Sequence, residues 1–189
     1  IYTMFNNIYN GKKVLVTGSS KGIGAAIAAK FLQEGADVAL VSRNKENLET
    51  YANQLRSEYG KDKIIYLSCD CSNIKSLEEL KSFLISEWGH IDIVVANVGD
   101  GKSVQDIIPN YEDWKRTWNS NFETALETSR VFLNELKQSK GNLLFISSIT
   151  ALEAFGAPVD YSTAKTAVIA LAKNISRKLA PDVRVNVLA

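Results

Sequence analysis

The stretch KVLVTGSSKGIG (residues 13–24) decides how this chain folds. An apolar, β-branched run ends at Gly18, further glycines stand at Gly22 and Gly24, and an alanine-rich amphipathic segment begins at once. A short apolar run without polar alternation reads as a strand covered on both faces, and the segment behind it as a helix. The glycines between them supply a tight turn, room for an approaching backbone and close helix–strand contact. The same glycines would also serve a strand-to-helix connection with no ligand, so the rest of the chain has to decide what the turn is for.

Working outward, the alternation repeats. KKVLVT (12–17), ADVALVS (36–42), KIIYLS (63–68), IDIVVAN (91–97), GNLLFISS (141–148) and DVRVNVLA (182–189) read as strands. Helical patterns fill the intervals at about 23–35, 45–59, 74–87 and 111–139, and again from Tyr161 to Ala180. Ile27, Ala28 and Phe31 form the expected inner side of the first helix, and Ser72 or Asn73 the cap of the third. Strands each followed by a helix predict an α/β fold with a doubly wound parallel sheet, because right-handed crossovers place helices on both faces. The expected organisation is one domain over residues 1–189, truncated after the sixth strand, with a C-terminal substrate region lying beyond this chain.

Composition narrows the function. With 22 basic against 21 acidic side chains the net charge is +1, which argues against a nucleic-acid groove or a polybasic membrane patch. No apolar run approaches the roughly 18 residues of a membrane span. The opening IYTMFNNIYNGKK (1–13) lacks the order of a secretory signal, Met4 reads as a start, and the expected location is cytoplasmic. Cys69 and Cys71 stand two apart, unlike a CxxC redox pair or a four-ligand metal site, so they read as structural thiols and no metal is expected.

The first turn opens a helix, and a helix N-terminus offers unpaired N–H groups and a positive dipole end to a pyrophosphate. Its spacing is GxxxGxG, distinct from GxGxxG and without the GK[ST] ending of a triphosphate loop. Gly18, Ser20, Lys21, Gly22, Ile23 and Gly24 are the expected cofactor contacts there. An NAD-preferring fold ends its second strand in an acid that bonds the adenosine ribose. Here that place holds Ser42 and Arg43, and a guanidinium fork with Lys21 nearby suits a ribose 2′-phosphate. The expected cofactor is therefore NADP(H). Asp70 after the third strand, and Asn97 and Gly99 after the fourth, fall at the carboxyl edge of the sheet, where ligands bind in such folds.

Tyr161 and Lys165 are four residues apart, about one helical turn, and leave the same helix face. Carbonyl reduction by a nicotinamide needs a proton delivered to oxygen as hydride reaches carbon. A phenol donates that proton, and a cation one turn away stabilises the phenolate left behind. Lys165 has a second possible partner in the nicotinamide ribose. Ser148, with Ser147 as the less favoured neighbour, is placed to hold the substrate oxygen, and Asn121 to hold a water that links Lys165 to solvent. Ala151, Leu152, Phe155 and Pro158 read as an apolar pocket wall, His90 as a surface turn residue, and Trp88, Trp114 and Trp118 as packing residues.

Taken together, these segments resemble the short-chain dehydrogenase/reductase family over essentially the whole chain. TGSSKGIG matches its TGxxxGxG, NVG matches NAG with Val98 in place of alanine, and SS…YSTAK matches Ser…YxxxK with 13 residues from Ser148 to Tyr161. DWKRTWNSNF resembles the segment that carries the family asparagine, here Asn121. The resemblance implies a Rossmann-like fold, a complete set of Asn121, Ser148, Tyr161 and Lys165, cofactor contacts at Asp70 and Asn97, and a small carbonyl or alcohol substrate. It also implies a homodimer or homotetramer built by pairing the helices that begin near Tyr111 and Tyr161. A sugar-nucleotide epimerase or dehydratase using the same Tyr/Lys pair is the alternative enzyme, and a dinucleotide-binding regulator without turnover the alternative outside enzymes.

Overall fold

The computed structural model describes residues 7–189, so Met4 lies outside the described residues. The strands are β1 (Lys13–Thr17), β2 (Asp37–Ser42), β3 (Ile64–Ser68), β4 (Ile93–Ala96), β5 (Asn142–Ile146) and β6 (Arg184–Leu188). The helices are α1 (Gly22–Gln33), α2 (Lys45–Tyr59), α3 (Ile74–Trp88), α4 (Tyr111–Trp118), α5 (Thr124–Ser139) and α6 (Val159–Leu179). All strand pairs are parallel, in the order β3-β2-β1-β4-β5-β6. This is the doubly wound, Rossmann-like sheet that the alternating pattern predicts. β1 is its centre, with Val14 paired to Val38 on one side and to Ile93 on the other. The chain runs outward from β1 to β3, then crosses back to β4, and that reversal opens a crevice at the carboxyl ends of β1 and β4.

The strands lack polar alternation because both faces are covered. Val14, Val16, Val38, Leu40 and Val95 point toward Ala28, Leu32, Leu48 and Leu55 of α1 and α2. Leu15, Val94, Leu143 and Phe145 point the other way, toward Leu80, Leu84, Phe132 and Leu136 of α3 and α5 and toward Val168 of α6. Fully buried Phe132 anchors the second layer, and its truncation to alanine would cost about 3–5 kcal/mol.

Local chemistry sets the ends of the elements. The Asn73 side chain accepts from the N–H groups of Lys75 and Ser76, which settles the cap of α3, and Gly89 at φ 76° ends the helix. In α1 the buried side chains are Ala25, Ala28 and Leu32, with Ile27 and Phe31 partly buried against the same core. Small side chains let this helix lie close to the sheet, and Phe31 at the core's margin meets Tyr9 edge-on at 4.9 Å. The predicted helix over 111–139 is two helices joined by a π-helical turn, Asn119–Glu123. In α6, Ala164, Val168 and Ala172 are buried within the one chain. These three side chains are therefore covered by the chain's own core. Leu188 on the edge strand β6 is 56% exposed. Among the described residues no helix is long and apolar enough to cross a membrane.

The amino edge of the sheet is fastened by charge. Asp92 ahead of β4 accepts from Lys12 Nζ at 2.8 Å and from the Lys13 N–H at 2.9 Å, and lies 3.2 Å from His90 Nε2. Asp37 at the start of β2 pairs with Lys13 and, at 2.9 Å, with Lys63. Burial works to raise both carboxyls, but the lysine bonds outweigh it and hold each below its usual value. A carboxylate depressed on folding contributes stability above its unfolded pKa and loses it as pH falls through the folded one. Stability is therefore expected to decline below about pH 4. Asp92→Asn should cost about 1–3 kcal/mol at pH 7 and flatten that decline, as read from urea unfolding midpoints at pH 7 and pH 3.

Candidate active site

A cavity of about 720 Å³ lies at the carboxyl edge, bounded by the glycine turn, the ends of β2 to β5, the π-helical turn and the first turns of α6. That volume is in the range of a cofactor-sized ligand. Gly18 at φ 66° and Gly22 at φ 60° adopt the left-handed backbone the turn requires. Gly24 is needed for a different reason. A Cβ there would fall 2.3 Å from the Gly18 carbonyl and 2.4 Å from Asn97 Nδ2.

Asn97 does lie in the cavity wall, but its amide is committed to the turn. Nδ2 donates to the carbonyls of Thr17 at 3.0 Å and Gly18 at 3.2 Å. The Asn97 N–H donates to Thr17 Oγ1 at 3.0 Å, and that hydroxyl donates to the Val95 carbonyl at 3.2 Å. On the other side, Ser19 Oγ accepts from the Val41 N–H at 2.8 Å and ties the turn to β2. Sequence reasoning missed Thr17 and Ser19. Their signal was two small hydroxyl residues flanking the first glycine of the turn.

Lys21 precedes α1 without a side-chain cap on the helix, so the first N–H groups of α1 face the cavity with no capping side chain. Lys21 and Arg43 both line the cavity and are exposed. Among the described residues, neither cation has a carboxylate partner within 4 Å. Ser20 Oγ donates to Ser42 Oγ at 2.9 Å, and no acid ends β2. Ile23 lines the cavity and is 64% exposed. Asp70 lines it too, while its Oδ1 accepts from the Ser72 N–H and hydroxyl at 3.0 and 2.8 Å. Cys69 and Cys71 are buried free thiols, and no group of three metal-ligating side chains occurs among the described residues.

At the opposite end, Lys165 is 4% exposed and donates from Nζ to the Ile146 carbonyl at 3.2 Å. Burial lowers its pKa from 10.5 to about 8, against the opposing charge of Asp100. Asn121 is fully buried in the π-helical turn. Its Oδ1 accepts from the Asp100 N–H at 3.1 Å, and its Nδ2 donates to the Thr117 carbonyl and Ser120 Oγ, each at 3.0 Å. Gly99 passes between these groups: a Cβ there would lie 2.7 Å from both Asn121 Oδ1 and Lys165 Nζ. Tyr161, half-buried, enters the wall one turn before Lys165.

The serines divide differently from expectation. Ser147 lines the cavity, and its hydroxyl donates to the Lys165 carbonyl at 2.8 Å, pinning α6 to β5. Ser148 is not part of that wall. Its Oγ accepts from the N–H and hydroxyl of Thr150 at 3.3 and 3.0 Å. The anticipated apolar wall is also absent from the cavity, since Leu152 and Phe155 stand 61% and 66% exposed.

Because burial lowers the Lys165 pKa, the native state favours the neutral amine, and Lys165 adds stability as pH rises from about 8 toward 10.5. Reductive ¹³C-methylation followed by NMR titration should give this amine a midpoint near 8, set apart from the surface lysines. Asp100→Asn should move it lower. A midpoint at the ordinary lysine value would contradict the burial.

The model of the family described as short chain dehydrogenase matches residues 12–189. An 11-beta-hydroxysteroid dehydrogenase-like 2 of Arabidopsis thaliana is 29% identical over 184 residues, which is 97% of this chain and 59% of that protein. This chain thus spans less than two thirds of that relative's length. The alcohol dehydrogenase of Thermococcus sibiricus, solved with 5-hydroxy-NADP, superposes with a TM-score of 0.84 at 31% identity, over 92% of this chain and 73% of that one. L-Sorbose reductase of Gluconobacter frateurii, solved with NADPH and L-sorbose, gives a TM-score of 0.88 at 27% identity, over 95% of this chain and 68% of that one. With the family model matched from the residue before β1 to the end of the sheet, this chain belongs to the short-chain dehydrogenase/reductase family.

Proposed function

We propose that the protein is an NADP(H)-dependent oxidoreductase acting on a ketone or secondary alcohol, with Tyr161 as its general acid and base. The observation that carries this reading is the pairing of Tyr161 with a buried lysine at one end of a cavity whose other end presents Lys21 and Arg43. The NADP-type ligands of the Thermococcus and Gluconobacter relatives support the choice of cofactor.

The residues fit such a ligand. The uncapped start of α1 receives the pyrophosphate, and the bare backbone at Gly18 and Gly22 lets it come close. Arg43 and Lys21 hold the ribose 2′-phosphate with charge-assisted bonds, in the place where an NAD-binding acid would repel it. A nicotinamide, when bound, supplies or accepts the hydride.

Proton management falls to the chain itself. Tyr161 gives its phenolic proton to the carbonyl oxygen in reduction and takes one back in oxidation. Lys165, with a pKa of about 8, remains largely cationic at neutral pH and stabilises the phenolate. The Ile146 carbonyl accepts from the Lys165 ammonium, and the absence of a side chain at Gly99 leaves room for that ammonium and for Asn121 Oδ1 alike. Ser148 stands outside the wall but next to Ser147 within it, and since its Oγ accepts twice from Thr150, its own hydrogen is left for a substrate oxygen.

The test is a steady-state assay of the intact native protein over a panel of ketones and secondary alcohols, with NADP(H) and then NAD(H). NADPH is expected to be preferred. Tyr161→Phe should lower kcat by about 10²–10⁴ while leaving NADPH affinity in place. Arg43→Ala should weaken NADPH binding about tenfold to a hundredfold without weakening NADH. Equal use of both cofactors would overturn the Arg43 assignment, and retained turnover in the phenylalanine variant would overturn the role of Tyr161.

A further inference from the structure

Asp160 immediately precedes Tyr161 and is 1% exposed. A carboxylate this deep is destabilising unless its oxygens are bonded. Oδ1 accepts the N–H of Tyr161 at 2.8 Å, and Oδ2 accepts the hydroxyl of Ser103 in a short bond. Ser103 Oγ in turn accepts from Thr117 Oγ1 of α4 at 3.3 Å. The first turn of α6 adds its positive dipole end to what holds this charge. Three pieces of chain are therefore joined through Ser103: the segment leaving β4, α4 by way of Thr117, and the helix that carries Tyr161 by way of Asp160.

The segment from 97 to 110 has neither helix nor strand, so side-chain bonds must hold it in place. It is gripped near its start, where Gly99 lies against Lys165 and the Asp100 N–H bonds Asn121. It is gripped again at Ser103. Farther along, Ile107 and Ile108 are 90% and 75% exposed. Both grips reach α6, at Lys165 and at Asp160, on either side of Tyr161.

We propose that Asp160 is a positioning residue, which fastens residues 99–103 to α6 through Ser103 and so sets the cavity wall that Tyr161 works against. The proposal rests on Tyr161 being the acid and base. Asp160 contacts neither the cavity nor Lys165 through any hydrogen bond, and its effect passes through the segment it holds.

The test compares Asp160→Ala, Ser103→Ala, the double variant and Asp160→Asn. Each alanine variant is expected to lower kcat about tenfold to a hundredfold, the scale of a misplacement near one ångström. NADPH affinity by fluorescence titration should stay within about twofold of wild type, because the phosphate end is untouched. The double variant should be no slower than Asp160→Ala, since both remove one contact. Asp160→Asn, which still accepts from Ser103, should recover part of the rate. Amide hydrogen exchange over residues 99–105 should quicken in both alanine variants, independently of turnover. Additive losses of kcat, unaltered exchange over 99–105, or NADPH affinity falling in step with kcat would each overturn the positioning role. A wild-type protein without turnover would overturn the Tyr161 reading instead, and the exchange data would still decide whether Asp160 holds the segment. Should Asp160→Ala fail to fold, Ser103→Ala carries the same comparisons.

Discussion

The closeness of α1 to the end of β1 is the constraint on which the rest of the site depends. At Gly24 any side-chain carbon would collide with the Gly18 carbonyl and with the Asn97 amide. The helix can therefore start against the sheet only because a hydrogen stands there, and its first N–H groups then open into the cavity rather than onto a side chain. Asn97 and Thr17 make that approach rigid from the far side, by joining the glycine turn to the carboxyl end of β4. One exclusion thus sets both the position of the phosphate end and the width of the crevice between β1 and β4.

The second constraint is the burial of one amine. Lowering a lysine from 10.5 to about 8 corresponds to roughly 3 kcal/mol against the charged form. A surface lysine would escape that by turning to water. Lys165 cannot, because Ile146, Gly99 and Asn121 enclose it. Asn121 itself faces inward because the helical path is widened by one residue at the π-helical turn. Its Oδ1 accepts from the Asp100 N–H and its Nδ2 donates to the Thr117 carbonyl, so Asn121 joins the loop to the helix, and Gly99 lies against it as a bare backbone wall.

Much of this was legible in the sequence, and the rest was hidden for physical reasons. The strands and helices, and with them the parallel sheet covered on both faces, follow from apolar runs and helical periods, which are local. The glycine turn and the Tyr161–Lys165 spacing are local too, and both fall at the cavity. What escaped depends on partners far along the chain. Asn97 reads as a cofactor contact, and its second task of holding the glycine turn stays hidden because its partner Thr17 is 80 residues away. Nothing in residues 111–139 marks the π-helical turn, because no proline or glycine interrupts that stretch. Ser148 reads as the holder of a substrate oxygen, and its place outside the cavity wall, with Oγ accepting from Thr150, is not visible in its spacing from Tyr161. Asp160 was not singled out at all, since an acid in the first turn of a helix is ordinary until Ser103 is found beneath it.

These constraints separate stability from chemistry along the strands. At the amino edge, Asp37 and Asp92 gain from being charged, because lysine ammonium groups reach them and outweigh the loss of water. At the carboxyl edge the balance reverses. Lys165 is buried where charge is disfavoured, with only Asp100 opposing. The same parallel sheet makes both possible: its amino ends collect short connections that bring lysines to acids, while its carboxyl ends splay around the crevice and leave room. A substitution that relieved Lys165 of its burial would remove an unfavourable interaction from the native state, and it would also remove the contacts with Ile146 and Gly99 that keep its amine at the cavity wall. Instability at this one residue is therefore tied to its position, and the bonded carboxylates at the other end of the strands are what the fold sets against it.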